Sequence, residues 1–183
     1  SDLHVAQTSP APILLEIAKA EGHYIYDREG KQYLDLIGGI SVCALGHGNE
    51  PIKEAIKQQV DKHLHVMVYG EVEQNPQTLY AAALVNDLPH SLNTVFFTNS
   101  GSEAIEGAMK LAKRATGRNR FLAHTKAYHG STQGALSLMS DEYFTGKYRP
   151  LLPNVSYVEQ NTTEALEAID EQCAAFVIET IQA

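Results

Sequence analysis

Basic residues are scarce in this chain: 14 lysines and arginines stand against 22 aspartates and glutamates, a formal charge of −8. With that balance and no basic stripe, a nucleic-acid-binding surface is excluded, and the charge favours solubility. Long apolar runs are missing as well. None approaches the roughly 20 residues that a membrane-spanning helix needs, so no membrane partner is expected. The first residues carry no basic region followed by an apolar one, and a cytoplasmic location is the expectation. Cysteine is rare. Cys43 and Cys173 are the only two, too few and too scattered for a disulfide framework, and they read as buried thiols in a reducing compartment. Internal repeats and low-complexity tracts are absent. Asn154-Val155-Ser156 and Asn161-Thr162-Thr163 match the glycosylation sequon, and without a secretion signal they read as chance matches.

What is present suits a globular protein. The 183 residues are 44% hydrophobic, enough to bury a real core in one large domain or in one and a half small ones. Residues 1–22 read as irregular. His23-Tyr24-Ile25-Tyr26 and Gln32-Tyr33-Leu34-Asp35-Leu36 flank Asp27-Arg28-Glu29-Gly30-Lys31, and two alternating, tyrosine-rich runs around such a turn predict a β-hairpin. Gly38–Val42 and Gly46–Gly48 read as flexible connections. Pro51 starts a helix with Ile52, Ala55, Ile56 and Val60 on one face, and a second helix runs from Asn75-Pro76 towards Pro89.

From residue 94 the rhythm changes to strand, helix, strand. Thr94-Val95-Phe96-Phe97, Phe121-Leu122-Ala123, Val155-Ser156-Tyr157-Val158 and Ala174–Ile178 read as strands, with helices between them, one capped by Asn161 and Glu164. Buried strands alternating with helices predict an α/β fold, a parallel sheet covered on both faces. Such a sheet would keep an uncovered edge and apolar surface at residue 183. The expectation is therefore an N-terminal part of a longer protein.

The most informative segment is Thr98-Asn99-Ser100-Gly101-Ser102-Glu103-Ala104. Ser100 and Glu103 have capping-box spacing, which fixes the helix start. Gly101 and Ser102 then take the first two helical positions, where backbone N–H groups lack internal partners and the macrodipole adds positive charge. Gly101 has no Cβ to hold a phosphate away. Ile105, Ala108, Met109 and Ala112 form the inner stripe. Glu106, Lys110, Lys113 and Arg114 form the outer one, with Glu106 and Lys110 spaced as an ion pair. Gly117 is a natural stop. A plain capped core helix fits the local pattern as well as an anion site does.

Ala127-Tyr128-His129-Gly130-Ser131-Thr132 follows the next strand closely. Ligands in a doubly wound sheet lie outside the carboxyl ends of the strands, so Tyr128 and His129 share a rim with Gly101. An aromatic beside a phosphate site suits a planar phosphorylated ring; taken singly, Tyr128 reads as packing and His129 as a hydrogen-bonded loop histidine. His63-Leu64-His65 has no third ligand at metal spacing, and no metal site is expected.

Taken in order, the segments resemble the class III pyridoxal-phosphate aminotransferases, the ornithine, acetylornithine and 4-aminobutyrate type. The matching stretches are Tyr26–Gly30 through Asp35, Gly38–Val42 through His47, Phe97–Ala104, Tyr128-His129-Gly130 and Val177–Gln182. The resemblance implies fold type I, with residues 1–50 a small α+β segment carrying the hairpin and 51–183 the first part of the large cofactor domain. It implies that Ser100, Gly101 and Ser102 hold the cofactor phosphate, that Tyr128 stacks on its ring, and that His129 and Glu179 lie beside it. Gly39, Ile40, Ser41 and Val42 would line the substrate entrance.

The implied reaction moves an amino group from an ω-amino acid to a 2-oxo acid, in a homodimer whose sites lie at the interface. The Schiff-base lysine and the aspartate on the pyridine nitrogen fall beyond these residues, so this polypeptide is expected to be inactive alone. Several members carry an arginine after the aromatic-x-Gly to clamp a substrate carboxylate; here Ser131 stands in its place, and a serine supplies no charged fork. An aminomutase of the same fold and a non-catalytic phosphate-binding module are the other functions consistent with these residues.

Overall fold

The computed structural model describes residues 4–67 and 69–182, and the chain divides into two compact units, residues 1–74 and 75–183. In the first unit three strands pair antiparallel in chain order: β1 (Ile17–Glu21), β2 (Tyr24–Asp27) and β3 (Gln32–Leu34). The expected hairpin is β2–β3, with Tyr24 opposite Leu34 and Tyr26 opposite Gln32. Asp27 builds its turn. One carboxylate oxygen accepts from the Glu29 and Lys31 N–H groups at 3.0 and 2.9 Å, and the other accepts from the Tyr33 hydroxyl at 2.9 Å. Strand β1 lies in a stretch expected to be irregular; its lysine, alanine and glutamate are weak strand formers, and the ladder to β2 makes the strand.

After β3 comes α1 (Gly38–Ser41), expected to be a flexible connection and found as an ordered left-handed turn. The four φ angles are 55°, 64°, 61° and 63°. The N–H groups of Val42 and Cys43 donate to the Gly38 carbonyl, and those of Ile40 and Ser41 to the Ile37 carbonyl. Glycine suits this hand at two of the positions, while Ile40 and Ser41 carry the Cβ penalty.

Asp35 pins the start of the turn. Its Oδ1 accepts from the Ile37 and Gly38 N–H groups at 3.0 and 2.9 Å, and its Oδ2 lies 2.6 Å from His47 Nε2. The His47 bond first, and then the Gly38 N–H, hold the Asp35 carboxyl below its usual range. Next comes α2 (Glu50–Lys62), capped by Asn49, whose Oδ1 accepts from the Ile52 N–H.

The second unit holds α3 (Asn75–Asn86), α4 (Gly101–Thr116), β4 (Arg120–His124), α5 (Gln133–Ser137), α6 (Glu142–Thr145), a 3₁₀ turn (Gly146–Tyr148), β5 (Val155–Val158), α7 (Thr163–Glu167) and β6 (Cys173–Val177). The three strands form a parallel sheet in the order β5–β4–β6. This is the expected α/β arrangement. Central β4 is the most deeply buried strand and alternates its faces. Phe121 and Ala123 join Met109 of α4 and Leu138 in the core, with Ile105, Ala112, Tyr157 and Val177 against them. Leu122 and His124 take the other face, where His124 meets Phe176 edge-on at 4.8 Å.

Several expectations are corrected here. Thr94–Phe97 is not a strand: among the described residues no neighbour pairs with it, and Phe96 is 82% exposed. An apolar run becomes a strand only when a ladder partner is present. The cap of α7 is Thr162 rather than Asn161, its hydroxyl accepting from the Ala165 N–H. Both cysteines are free, Cys173 buried and Cys43 half-buried.

Candidate functional site

The residues singled out in the second half converge at one end of the parallel sheet. Helix α4 begins where the sequence puts it. Ser100 is extended and caps the helix, its hydroxyl accepting from the Glu103 N–H at 3.2 Å. The return arm of the capping box lands one residue early, for Glu103 Oε2 accepts from the Asn99 N–H at 2.7 Å. At the other end Gly117 closes the helix at φ 69°. Among the described residues no acceptor reaches the N–H groups of Gly101 and Ser102. A Cβ built on Gly101 would meet nothing within 4 Å. Two free donors at a positive helix end, with open space beside them, fit the oxygens of a phosphate.

The loop after β4 is tied to that helix and to the end of β6. Glu179 Oε2 accepts from the Tyr128 N–H at 3.3 Å. Ser102 Oγ accepts from the Ser131 N–H at 3.2 Å. The Tyr128 hydroxyl lies 3.2 Å from Ser131 Oγ, and the Tyr128 ring leans edge-on against Phe144 at 5.8 Å. Tyr128 remains 54% exposed. Gln182 Nε2 donates to the Thr125 carbonyl at 3.1 Å, and Gln160 Nε2 donates to the Glu179 carbonyl at 3.2 Å. The Glu179–Gln182 segment is therefore the brace of this loop.

His129, within the same loop, is buried, with Nε2 lacking a partner among the described residues. Burial pushes its imidazole below the ordinary range, while the Glu179 carboxylate pulls the other way. Burial favours the neutral imidazole, and one ring nitrogen is left without a hydrogen bond among the described residues.

Two glycines make the loop's approach possible. A Cβ on Gly130, at φ 126°, would lie 2.0 Å from Ser102 Oγ and 3.0 Å from Ser102 Cα. A Cβ on Gly134 would lie 2.3 Å from Glu106 Oε2. Ala108, expected on the inner stripe of α4, is exposed, and Glu106 also departs from its expectation. Expected outside and paired with Lys110, it is half-buried, and its Oε1 accepts from the Gly134 and Ala135 N–H groups at 2.7 and 3.4 Å. The signal was in the spacing: Glu106 follows Ser102 by four residues and shares its face.

Gly39, Ile40, Ser41 and Val42 belong to the first unit, in and directly after the left-handed turn, with Ile40 and Val42 largely exposed. Their place in the turn is fixed by Asp35, a residue outside the expected site. Among the described residues no group of three metal-ligating side chains is present.

A free helix N-terminus at the end of a parallel α/β sheet, with an aromatic on the same rim, is an arrangement that suits a planar phosphorylated ligand. The family description "Aminotransferase class-III" matches residues 5–183, and the chain belongs to that family. It is 39% identical over 180 residues to the acetylornithine aminotransferase of Archaeoglobus fulgidus, covering 98% of this chain and 47% of that protein. The adenosylmethionine-8-amino-7-oxononanoate aminotransferase of Methanocaldococcus jannaschii is 32% identical, with a TM-score of 0.80 over 88% of this chain and 40% of that one. The ornithine aminotransferase of Toxoplasma gondii, solved with partial occupancy of pyridoxal phosphate, gives a TM-score of 0.84 at 25% identity, covering 98% of this chain and 43% of that one. The chain spans about half the length of these relatives.

Proposed function

We propose that this chain supplies the cofactor cradle of a pyridoxal-phosphate transaminase that moves the amino group of an ω-amino acid, of the acetylornithine, ornithine or 4-aminobutyrate kind, to a 2-oxo acid. The observation that carries it is the pair of free N–H donors at Gly101 and Ser102, on the helix to which the Tyr128 loop is bonded. In this reading Gly101 and Ser102 donate to the phosphate and Ser100 fixes their direction. Tyr128 offers its ring face. Buried His129 lies beside the cofactor, and Glu179 holds the Tyr128 backbone. Gly39–Val42 shape the substrate entrance. When bound, pyridoxal phosphate supplies an electron-accepting ring that eases departure of a C–H proton from the amine. The residues of this chain bind and orient; none is assigned the proton transfer.

The same reading includes a cytoplasmic homodimer with sites at the interface, a small-domain segment ending near residue 50, and inactivity of the 183-residue polypeptide alone. Ser131 is where this chain departs from the arginine that several members of the family carry. Its hydroxyl is beside the Tyr128 hydroxyl and its N–H is bonded to Ser102, so a carboxylate clamp must come from elsewhere. An amine-donor panel on the full-length enzyme tests this, with Ser131→Arg alongside. Wild type is expected to prefer ω-amino acids, and a strong preference for donors lacking any carboxylate would reject that substrate class.

A further inference from the structure

Helix α4 holds more than the phosphate donors. Ser102 and Glu106, one turn apart on the same face, each accept from the backbone of the segment that follows Tyr128. Ser102 takes the Ser131 N–H, and Glu106 takes the Gly134 and Ala135 N–H groups. Opposite them stand Gly130 and Gly134, also four apart, each too close to α4 for any side chain. The result is a two-point clasp. Its nearer point is in the cradle itself, and its farther point is Glu106. The Glu106 carboxylate has no ion pair among the described residues. Its charge is met by N–H donors at the start of α5, bonds of the strong charge-assisted kind.

A carboxylate half-buried in this way is costly unless it holds something. What it holds is the distance between α4 and the loop that carries Tyr128. We propose that Glu106 is a positioning residue: through Gly134 and Ala135 it sets where the Tyr128 ring stands relative to the phosphate donors of Gly101 and Ser102. The proposal rests on the cradle reading above. It separates two parts of that cradle. The phosphate donors belong to α4 and stay in place without Glu106, whereas the ring position depends on the clasp.

The test uses the full-length enzyme freed of cofactor, with binding of pyridoxal phosphate and of inorganic phosphate measured separately by calorimetry. Visible circular dichroism of the loaded protein reports how the ring is held. Glu106→Ala is expected to leave inorganic phosphate affinity within about twofold, to weaken pyridoxal phosphate about tenfold, the size of one charge-assisted hydrogen bond, and to diminish the dichroic band. Glu106→Gln keeps an acceptor oxygen and should restore most of both signals. Should the alanine variant fail to fold, Glu106→Asp, one methylene short of Gly134, is expected to show the same losses.

Unchanged cofactor affinity and dichroism in Glu106→Asp and Glu106→Ala, with both reduced in Tyr128→Ala, would overturn the positioning role and leave the cradle standing. Equal loss of phosphate and cofactor would overturn it too, as a general structural effect. If Tyr128→Ala itself changes nothing, the cradle reading fails and the proposal fails with it.

Discussion

At the scale of single residues, Gly101 and Gly130 carry opposite expectations. Gly130→Ala would drive a Cβ into Ser102, whose side chain can rotate but whose Cα, 3.0 Å away, cannot. A loss of about 2 kcal/mol or more is expected in urea unfolding of the full-length protein. Gly101→Ala meets open space at a helical position, so stability should stay within about 0.5 kcal/mol. Its pyridoxal-phosphate affinity should fall about tenfold as one phosphate bond is impaired. The reverse pattern would put the phosphate elsewhere. His129 adds a pH dependence. Burial lowers its folded-state pKa beneath the ordinary value of 6.5. Below that pH the unfolded chain takes up a proton that the folded chain refuses. Stability is therefore intact above about pH 6.5 and declines as pH falls through the lowered value. Urea midpoints measured from about pH 7 to 5 should fall more steeply in wild type than in His129→Gln, and parallel slopes would refute the assignment.

At the scale of elements, the left-handed turn Gly38–Ser41 sets two substitutions against each other. Ile40 is 84% exposed and sits at φ 61°. Relief of its Cβ strain is worth roughly 1–2 kcal/mol, while glycine adds about 0.5–1 kcal/mol of unfolded-state entropy. Ile40→Gly should thus raise stability slightly. Gly39→Ala adds strain at φ 64° and brings a Cβ to 3.0 Å from Val42 Cγ2 and 3.2 Å from Cys43 Sγ, so it should lower stability by about 1–2 kcal/mol. Thermal unfolding of both variants checks the pair, and a stabilising Gly39→Ala would show the turn is not left-handed in solution. These contrasts also mark what was legible beforehand. Helix α4 was readable because its cap, stripe and stop are local signals. The α1 turn was not, because Ile40 and Ser41 oppose that hand, and what holds them is Asp35 bonded to His47, twelve residues away. Glu106 was misread for the same reason. An i, i+4 partner was visible in sequence, whereas the N–H groups at Gly134 and Ala135 come from the fold. Strand β1 and the 94–97 segment fail in opposite directions, one gaining a ladder its residues do not suggest and the other lacking one they do.

For the molecule as a whole, the deciding quantity is apolar surface. In the first unit Leu36, Ile37, Ile40, Val42 and Leu45 all stand exposed around the left-handed turn. In the second, Phe96 and Leu111 line an open groove of about 1050 Å³ along α4, together with Ala104, Ala108, Lys110, Lys113 and Arg114. Patches of this kind on soluble proteins mark surfaces that another surface covers, or sites of association. The core around Met109, Phe121, Ala123 and Leu138 is small beside them, and a small core leaves little margin against the entropy of the unfolded chain. The 183-residue polypeptide by itself is therefore expected to enhance and blue-shift the fluorescence of a hydrophobic dye, and to unfold with low cooperativity. Phe96→Ser together with Leu111→Ser should reduce the dye signal without lowering the unfolding midpoint, because neither side chain is buried in the folded chain. A weak dye signal with one sharp transition would mean that the polypeptide covers these faces unaided, and a falling midpoint in the double variant would mean that Phe96 and Leu111 already pack within it.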